Sequence, residues 1–361
     1  MKSVGIICEY NPFHKGHIHH INMVKKLYPD YVIIAVINGS YTQRGDFSLI
    51  DKWQKTKIAL NYVDLVVELP FVFGTQAADI FTKGSTDILK ALQIDAFVFG
   101  SESADTNKLK EIIKIQKTEK YNKKIKNYLN LGFNYPTSQA KALKDFNITL
   151  ENNPNDLLGL GYIRNLENIE VKAIKRTDDY HISGSNIRKA IKEKQNVSKY
   201  LPKETISELN NLHFWDDYFE LLKYKIITSK DLSIYQTVDE GIENKLKKNI
   251  LKAKNIDELI KSVKSKRYTY NKIKRMLLHI LCAFTKEEAN RCKNIEYIRV
   301  LGFNEKGKKY LNSIKKEISV PIITTYDKTY EMMRIEDRVN NIYNIKKDDF
   351  LKEYEHKPIF H

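Results

Sequence analysis

Five short apolar runs alternate with amphipathic stretches over the first 200 residues, and that alternation constrains the fold more than any other feature. The runs are Val4–Cys8, Tyr31–Ile37, Asp64–Leu69, Ala96–Phe99 and Val171–Ile174. Most are rich in Val, Ile or Phe, as buried parallel strands are. Helical spacing fills the intervals, at His17–Leu27, Lys52–Asn61, Asp79–Gln93, Leu109–Leu131 and Asp156–Leu166. Such alternation predicts an α/β fold with a doubly wound parallel sheet. Ligands of these sheets bind beyond the carboxyl ends of the strands, near the point where strand order reverses. After about Pro202 helical spacing dominates to roughly Lys293. A small unit follows: a strand at Tyr297–Leu301, a helix at Lys306–Lys316 and a strand at Val320–Thr324. Two domains are expected, residues 1–200 and 201–361, and a chain of 361 residues can bury two cores.

The first strand runs directly into Glu9-Tyr10-Asn11-Pro12-Phe13-His14-Lys15-Gly16-His17. A strand, a Pro-bearing loop and His-x-Gly-His at a helix start suit phosphate handling. Free N–H groups at a helix N-terminus favour anions. Gly16 would let a phosphate approach the backbone. Imidazoles at His14 and His17 can donate to oxygens that gain charge in phosphoryl or nucleotidyl transfer, which makes these two the candidate catalytic residues. His14, His17 and His20 recur at three-residue spacing, but no Cys or clear fourth ligand lies near, so no metal site is expected. Cys8 at the strand end reads as a small packed hydrophobe rather than an acyl-carrying nucleophile.

A second phosphate signal lies in Ile182-Ser183-Gly184-Ser185-Asn186-Ile187-Arg188, which opens a helix expected at Asn186–Lys194. Ser183 or Ser185 could be an ordinary cap. Arg188 falls in the first turn, where a cation opposes the helix dipole unless an anion is bound. Hydroxyls, free N–H groups and a guanidinium fork would make a triphosphate clamp, with Ser185 and Arg188 as ATP-binding residues. Gly159-Leu160-Gly161 lacks the third glycine of a dinucleotide fingerprint, and no P-loop occurs.

Charge narrows the partners. Apolar residues make up 42% and charged residues 29%, which suits a soluble globular chain, and the formal net charge of +16 favours a polyanion. Between Lys245 and Arg275 stand twelve Lys or Arg against two acids. At the end of this tract Lys264, Lys266, Arg267, Lys272, Lys274 and Arg275 interleave with Tyr268 and Tyr270, a pattern suited to phosphate contact plus base stacking in RNA. A solvated helix face is the plainer alternative. Three scattered cysteines form no disulfide framework, and no run of about 18 apolar residues or signal peptide occurs. A cytoplasmic protein, neither secreted nor membrane-spanning, is expected.

The two phosphate motifs together resemble the HIGH nucleotidyltransferase superfamily. Further segments resemble one member, the tRNA(Met) cytidine acetate ligase family. They are Gly5–His17, Gln43-Arg44-Gly45-Asp46, Asp51-Lys52-Trp53, Glu68-Leu69-Pro70-Phe71, Phe99-Gly100-Ser101-Glu102, Asn155-Asp156-Leu157-Leu158-Gly159 and Arg267-Tyr268-Thr269-Tyr270, in family order across most of residues 1–280. The resemblance implies a Rossmann-like ATP- and acetate-activating domain, then a mainly helical basic tRNA-binding domain with a small α/β end. It implies a ligase that makes acetyl-adenylate from acetate and ATP, and charge stabilisation on the phosphates in that step suits Mg²⁺. The acetyl group would pass to N4 of the wobble cytidine of elongator tRNA(Met). Its ATP site would fall on Ile7, Cys8, Glu9, Tyr10, Asn11, Pro12, Phe13, His14, Lys15, Gly16, His17, Ile18, His19, His20, Gly100, Asn155 and Arg176. Asp46 and Glu102 are candidate bases for the second step by resemblance alone; surface ion pairs explain them equally well. A small-molecule adenylyltransferase and an RNA-binding protein with a vestigial nucleotide site are the competing readings.

Overall fold

The computed structural model describes residues 1–149, 153–176, 183–347 and 350–361. Ile182 of the serine–arginine segment therefore lies outside the described residues. The expected strands form as β1 (Ser3–Cys8), β2 (Val32–Asn38), β3 (Leu65–Leu69), β4 (Ala96–Ser101) and β5 (Glu170–Lys175). All their pairings are parallel. Their order is β5-β4-β1-β2-β3, so the chain steps outward in opposite directions from β1 and the order reverses between β1 and β4. Strand periodicity covers both faces. Ile34 and Val36 enter one core, and Ile33, Ala35 and Ile37 enter the other, beneath the helix Lys15–Leu27.

Two of the expected helices differ in extent, and a further helix, Tyr135–Lys144, was not expected. The stretch Leu109–Leu131 is two helices, Thr106–Gln116 and Glu119–Asn130. Thr118 divides them because its side chain accepts the Tyr121 N–H at 3.3 Å and caps the second. The helix expected from Asn186 begins at Gly184, with Ser183 as its cap.

Helices fill most of residues 203–291 and share a continuous core with one face of the sheet, through Trp215, Tyr218, Leu222, Met276 and Leu277. The chain then returns to the sheet. Strand β6 (Ile298–Phe303) pairs antiparallel with β3, and β7 (Ile322–Ile323) and β8 (Ile359–Phe360) both pair with β6. The sheet thus runs across the boundary expected near residue 200.

A buried ionic cluster fastens this returning segment. Lys52 Nζ lies 2.5 Å from Glu68 on β3 and 2.6 Å from Glu353. Arg299 on β6 pairs with Glu353 and lies 3.8 Å from Glu68. Asn340 donates to Glu353 at 2.7 Å, and Glu336 accepts the Phe71 N–H. Burial alone would raise the Glu353 carboxyl, but Lys52 and Arg299 pull it below the usual range. The Glu336 carboxyl is pushed up by burial and by the charge of Glu68. Removing one member of such a cluster leaves an uncompensated buried charge. Arg299→Met is therefore expected to destabilise the fold by about 3–5 kcal/mol, read as a lower urea unfolding midpoint.

Candidate active site

The loop after β1 ends in a reciprocal histidine cap. His14, with extended backbone (φ −139°), is the cap residue of the helix Lys15–Leu27. Its Nδ1 accepts the Gly16 N–H at 3.1 Å, and His17 Nδ1 accepts the His14 N–H at 3.1 Å. The two rings stack with centroids 3.8 Å apart. A Cβ on residue 16 would lie 2.9 Å from His14 Cε1, so glycine is what lets the first ring fold over its own helix start. Since both Nδ1 atoms are acceptors, the hydrogen-bond network assigns both protons to Nε2, and each ring offers an Nε2–H donor.

This cap changes how the helix start can meet an anion. Lys15 N–H donates to the Tyr200 carbonyl at 2.9 Å, Gly16 N–H to His14 Nδ1, and His17 N–H to the His14 carbonyl at 2.8 Å. The free backbone donors expected there are occupied by protein, so the imidazoles take their place. Burial keeps these imidazoles neutral, lowering His14 and His20 to about 4, with the charge of Arg176 adding to the effect. His17 is held well below its usual value, first by burial and then by His14, His20 and Arg176. The Nε2 of His20 is buried without a hydrogen-bond partner among the described residues.

The other expected ATP residues gather at the same edge. Gly100 is the next-to-last residue of β4 and lies beside Arg176, which follows β5; a Cβ on residue 100 would lie 3.7 Å from Arg176 Cγ. Arg176 N–H donates to the Ser101 carbonyl at 2.9 Å, and its guanidinium has no ion-pair partner among the described residues. Arg188 Nη1 donates to the Asn11 carbonyl at 2.7 Å and Nη2 to Ser185 Oγ at 3.1 Å, which joins the serine–arginine segment to the histidine loop. Because the helix starts at Gly184, Arg188 is its fifth residue and lies beyond the first turn, where the dipole argument for a bound anion is weaker. The N–H groups of Gly184 and Ser185 have no partner among the described residues, so free backbone donors sit at this helix rather than at the first.

Several members of the expected set serve the loop itself. Tyr10, Asn11, Pro12 and Phe13 are buried, and Asn11 uses its side chain to hold Leu49 N–H at 2.9 Å and the Phe47 carbonyl at 3.2 Å. Ile7, Lys15, Ile18 and His19 are half-buried. Burial pushes the Cys8 thiol up to about 12, which leaves it no thiolate character at neutral pH. Asn155 Nδ2 donates to Glu102 at 2.6 Å, and Asp156 N–H donates to the other oxygen of Glu102 at 3.2 Å. Glu102 is thereby occupied holding a helix start.

Asp46 links the edge to the basic helix Tyr270–Leu281. Its carboxylate pairs with Lys274 and lies 3.9 Å from Arg188. Gly45, at φ +78°, sits where a Cβ would be 2.7 Å from Arg275 N, so only glycine admits this close approach. Sequence reading missed this link, for which the adjacent Gly45-Asp46 was the available signal. The link also alters the expected RNA surface. Lys264, Lys266 and Arg267 are exposed, with Arg267 3.2 Å from Glu240. Lys274 is mostly covered, and Arg275 keeps a buried Nε that has no hydrogen-bond partner among the described residues. Tyr268 is buried, bonds the Asp239 carbonyl at 2.5 Å and carries Lys272 over its ring at 4.3 Å. The stacking role expected of Tyr268 does not fit that placement. Tyr270 is half-buried and bonded to Asp257.

A family model described as HIGH Nucleotidyl Transferase matches residues 1–357. Among curated relatives, the tRNA(Met) cytidine acetate ligase of Geobacillus sp. (strain WCH70) is 35% identical over 356 residues, covering 90% of this chain and 89% of its own. The Fusobacterium nucleatum protein of the same name is 38% identical over 340 residues, covering 87% and 85%. Among solved structures, Thermotoga maritima TmcAL bound with alpha-thio ATP superposes at a TM-score of 0.91 with 28% identity, covering 100% of this chain and 99% of that one.

The buried histidines give the fold a pH signature. Below the usual histidine value of 6.5 the unfolded chain takes up protons that folded His14 and His20, at about 4, refuse, so stability falls with pH across that window. The melting temperature of the ligand-free protein is expected to drop between about pH 6.5 and pH 5, above the carboxylate range. The drop should be smaller in His20→Gln, measured by calorimetry over a pH series.

Proposed function

The chain belongs to the HIGH nucleotidyl transferase family, and from that premise we propose that it is a ligase that acetylates a tRNA cytidine. It activates acetate with ATP as acetyl-adenylate, releasing pyrophosphate, and passes the acetyl group to N4 of the wobble cytidine of elongator tRNA(Met), giving N4-acetylcytidine and AMP. The observation that carries this reading is full-length likeness to curated tRNA(Met) cytidine acetate ligases in a chain whose His14, His17, Arg176 and Arg188 meet at one sheet edge.

Acetate titrates like a side-chain carboxyl, near pKa ~4, and is already an anion at neutral pH. Its attack on the α-phosphate therefore needs position and charge stabilisation rather than a base. Neutral His14 and His17 offer Nε2–H donors, Arg176 and Arg188 offer fixed positive charge, and Gly184 and Ser185 offer backbone N–H groups. Bound phosphates would favour the protonated imidazoles, so the histidines can strengthen their hold as negative charge grows. Among the described residues no group of three His, Cys, Asp or Glu could hold a metal ion. Mg²⁺ takes few protein ligands and rides on phosphates with its waters, so it would arrive with ATP, and no step is assigned to it. Exposed Lys264, Lys266 and Arg267 would meet tRNA phosphates, with half-buried Tyr270 beside them. Free thiols at Cys8, Cys282 and Cys292 suit a reducing cytoplasm.

The direct test incubates the protein with ATP and labelled acetate, with and without tRNA. Acetyl-AMP alone, then acetylated tRNA, is expected; absence of both products, or label transfer from acetyl-CoA but not from acetate, refutes the reading. His17→Ala should lower acetyl-AMP formation by about 10²–10³ while leaving tRNA affinity within twofold. Lys266 and Arg267 changed together to Ala should do the reverse. That pair should also reduce the slope of log affinity against log salt by about 1.4–1.8, read by filter binding.

A further inference from the structure

Acetyl transfer requires the cytidine N4 amine to lose a proton, and the residues assigned above supply no acceptor for it. Five described carboxylates stand at or just beyond the carboxyl ends of the parallel strands: Glu9 after β1, Asp46 after β2, Glu68 on β3, and Glu102 and Asp105 after β4. Four are committed elsewhere. Asp105 caps the helix Thr106–Gln116, accepting the Lys108 N–H at 2.9 Å. Asp46 pairs with Lys274 and stands beside Arg188. Glu68 is locked in the buried cluster with Lys52. Both oxygens of Glu102 accept from the start of the helix Pro154–Asn165.

Glu9 differs. It directly follows β1, one of the two strands between which the order reverses, and so stands where ligands of such sheets bind. Its Oε1 accepts the Gln43 N–H at 2.7 Å, and no hydrogen bond from a described residue reaches Oε2. Two residues on, the Asn11 carbonyl holds Arg188 of the triphosphate clamp. The backbone carbonyl of Glu9 lies 3.3 Å from Lys55 Nζ, which also donates to the carbonyls of Asn38 and Gly39 at 2.6 and 2.8 Å. The carboxylate is thus anchored at Oε1, carries no hydrogen bond from a described residue at Oε2, and belongs to a half-buried residue two positions from the carbonyl that holds Arg188.

We propose that Glu9 is the general base of acetyl transfer, a proposal that rests on the tRNA cytidine ligase reading. As the N4 lone pair attacks the acetyl carbonyl carbon, an N–C bond forms and the bond from that carbon to the adenylate oxygen breaks. AMP leaves with the bonding pair. The displaced N4 proton passes to Glu9 Oε2 and then to water. Burial raises the proton affinity of this carboxylate above the usual range, against the Gln43 N–H and the charges of Arg44, Arg188 and Lys55, which lower it. Of the other titratable groups that face it, Cys8 at about 12 and Tyr162, also raised, stay neutral, while Lys55 is lowered to about 7 by burial. A base of this kind holds a proton better than an exposed carboxylate does.

Single-turnover acetyl transfer from enzyme-bound acetyl-AMP to tRNA, followed over a pH series, tests this. Glu9→Gln should slow transfer by about 10²–10⁴, and by at least 100-fold more than it slows acetyl-AMP formation. The low-pH limb of the transfer rate should vanish in Glu9→Gln and persist, at a reduced rate, in Glu9→Asp. An ATP-dependent melting shift in both variants verifies folding, and if Glu9→Gln fails to fold the limb in Glu9→Asp decides. Equal loss of both steps, transfer within threefold of the unaltered protein, or an unchanged limb in Glu9→Gln or an absent one in Glu9→Asp, overturns the proposal. Failure of the unaltered protein to transfer acetyl at all overturns the function reading, and the proposal with it.

Discussion

A parallel sheet ends all its strands at one edge, and the whole candidate site depends on that constraint. Glu9 and the histidine loop leave β1 there, Gly39 to Asp46 leave β2, Glu102 follows β4, and Arg176 follows β5. Residues more than 150 positions apart meet without any one loop having to be long. The Arg188 guanidinium closes the arrangement by reaching back to the Asn11 carbonyl, which joins the helix after β5 to the loop after β1.

The edge is held from outside as well. The antiparallel strand β6 and its companions lengthen the sheet beyond β3, and the buried cluster of Lys52, Glu68, Arg299 and Glu353 ties them to the core. Such a cluster adds little net stability over apolar packing of equal volume, but it is costly to break in part. Asp46 plays a comparable part at the helical side, where one carboxylate faces both the clamp arginine and the basic helix. The sheet edge and the basic helix Tyr270–Leu281 therefore touch through short, named contacts.

Much of this was legible in the residues. The five parallel strands follow from short apolar runs, and most of the helices between them from spacing, although the stretch after β4 divides at Thr118 and is followed by an unanticipated helix, Tyr135–Lys144. His14 to His17 and Ser183 to Arg188 were recognisable because a strand before and a helix after are local signals. The rest was hidden for physical reasons. That Lys15 donates to the Tyr200 carbonyl depends on a contact across 185 positions, which no local pattern encodes. Tyr268 looked like a stacking platform because exposure cannot be read from composition; its hydroxyl instead reaches the Asp239 carbonyl inside the helical part. The return of β6 to the first sheet rests on strand pairing, and Arg299 inside that strand resembles a surface charge until its buried partners are seen.

The central claim is that one site, built at a single sheet edge, moves AMP onto acetate before any tRNA is engaged. Acetate-dependent exchange of labelled pyrophosphate into ATP, measured without tRNA, tests it most directly. Rapid exchange that requires acetate and is lost when Arg188 is replaced by Ala is the expected result. Exchange that appears only when tRNA is added, or that proceeds equally without acetate, would contradict it.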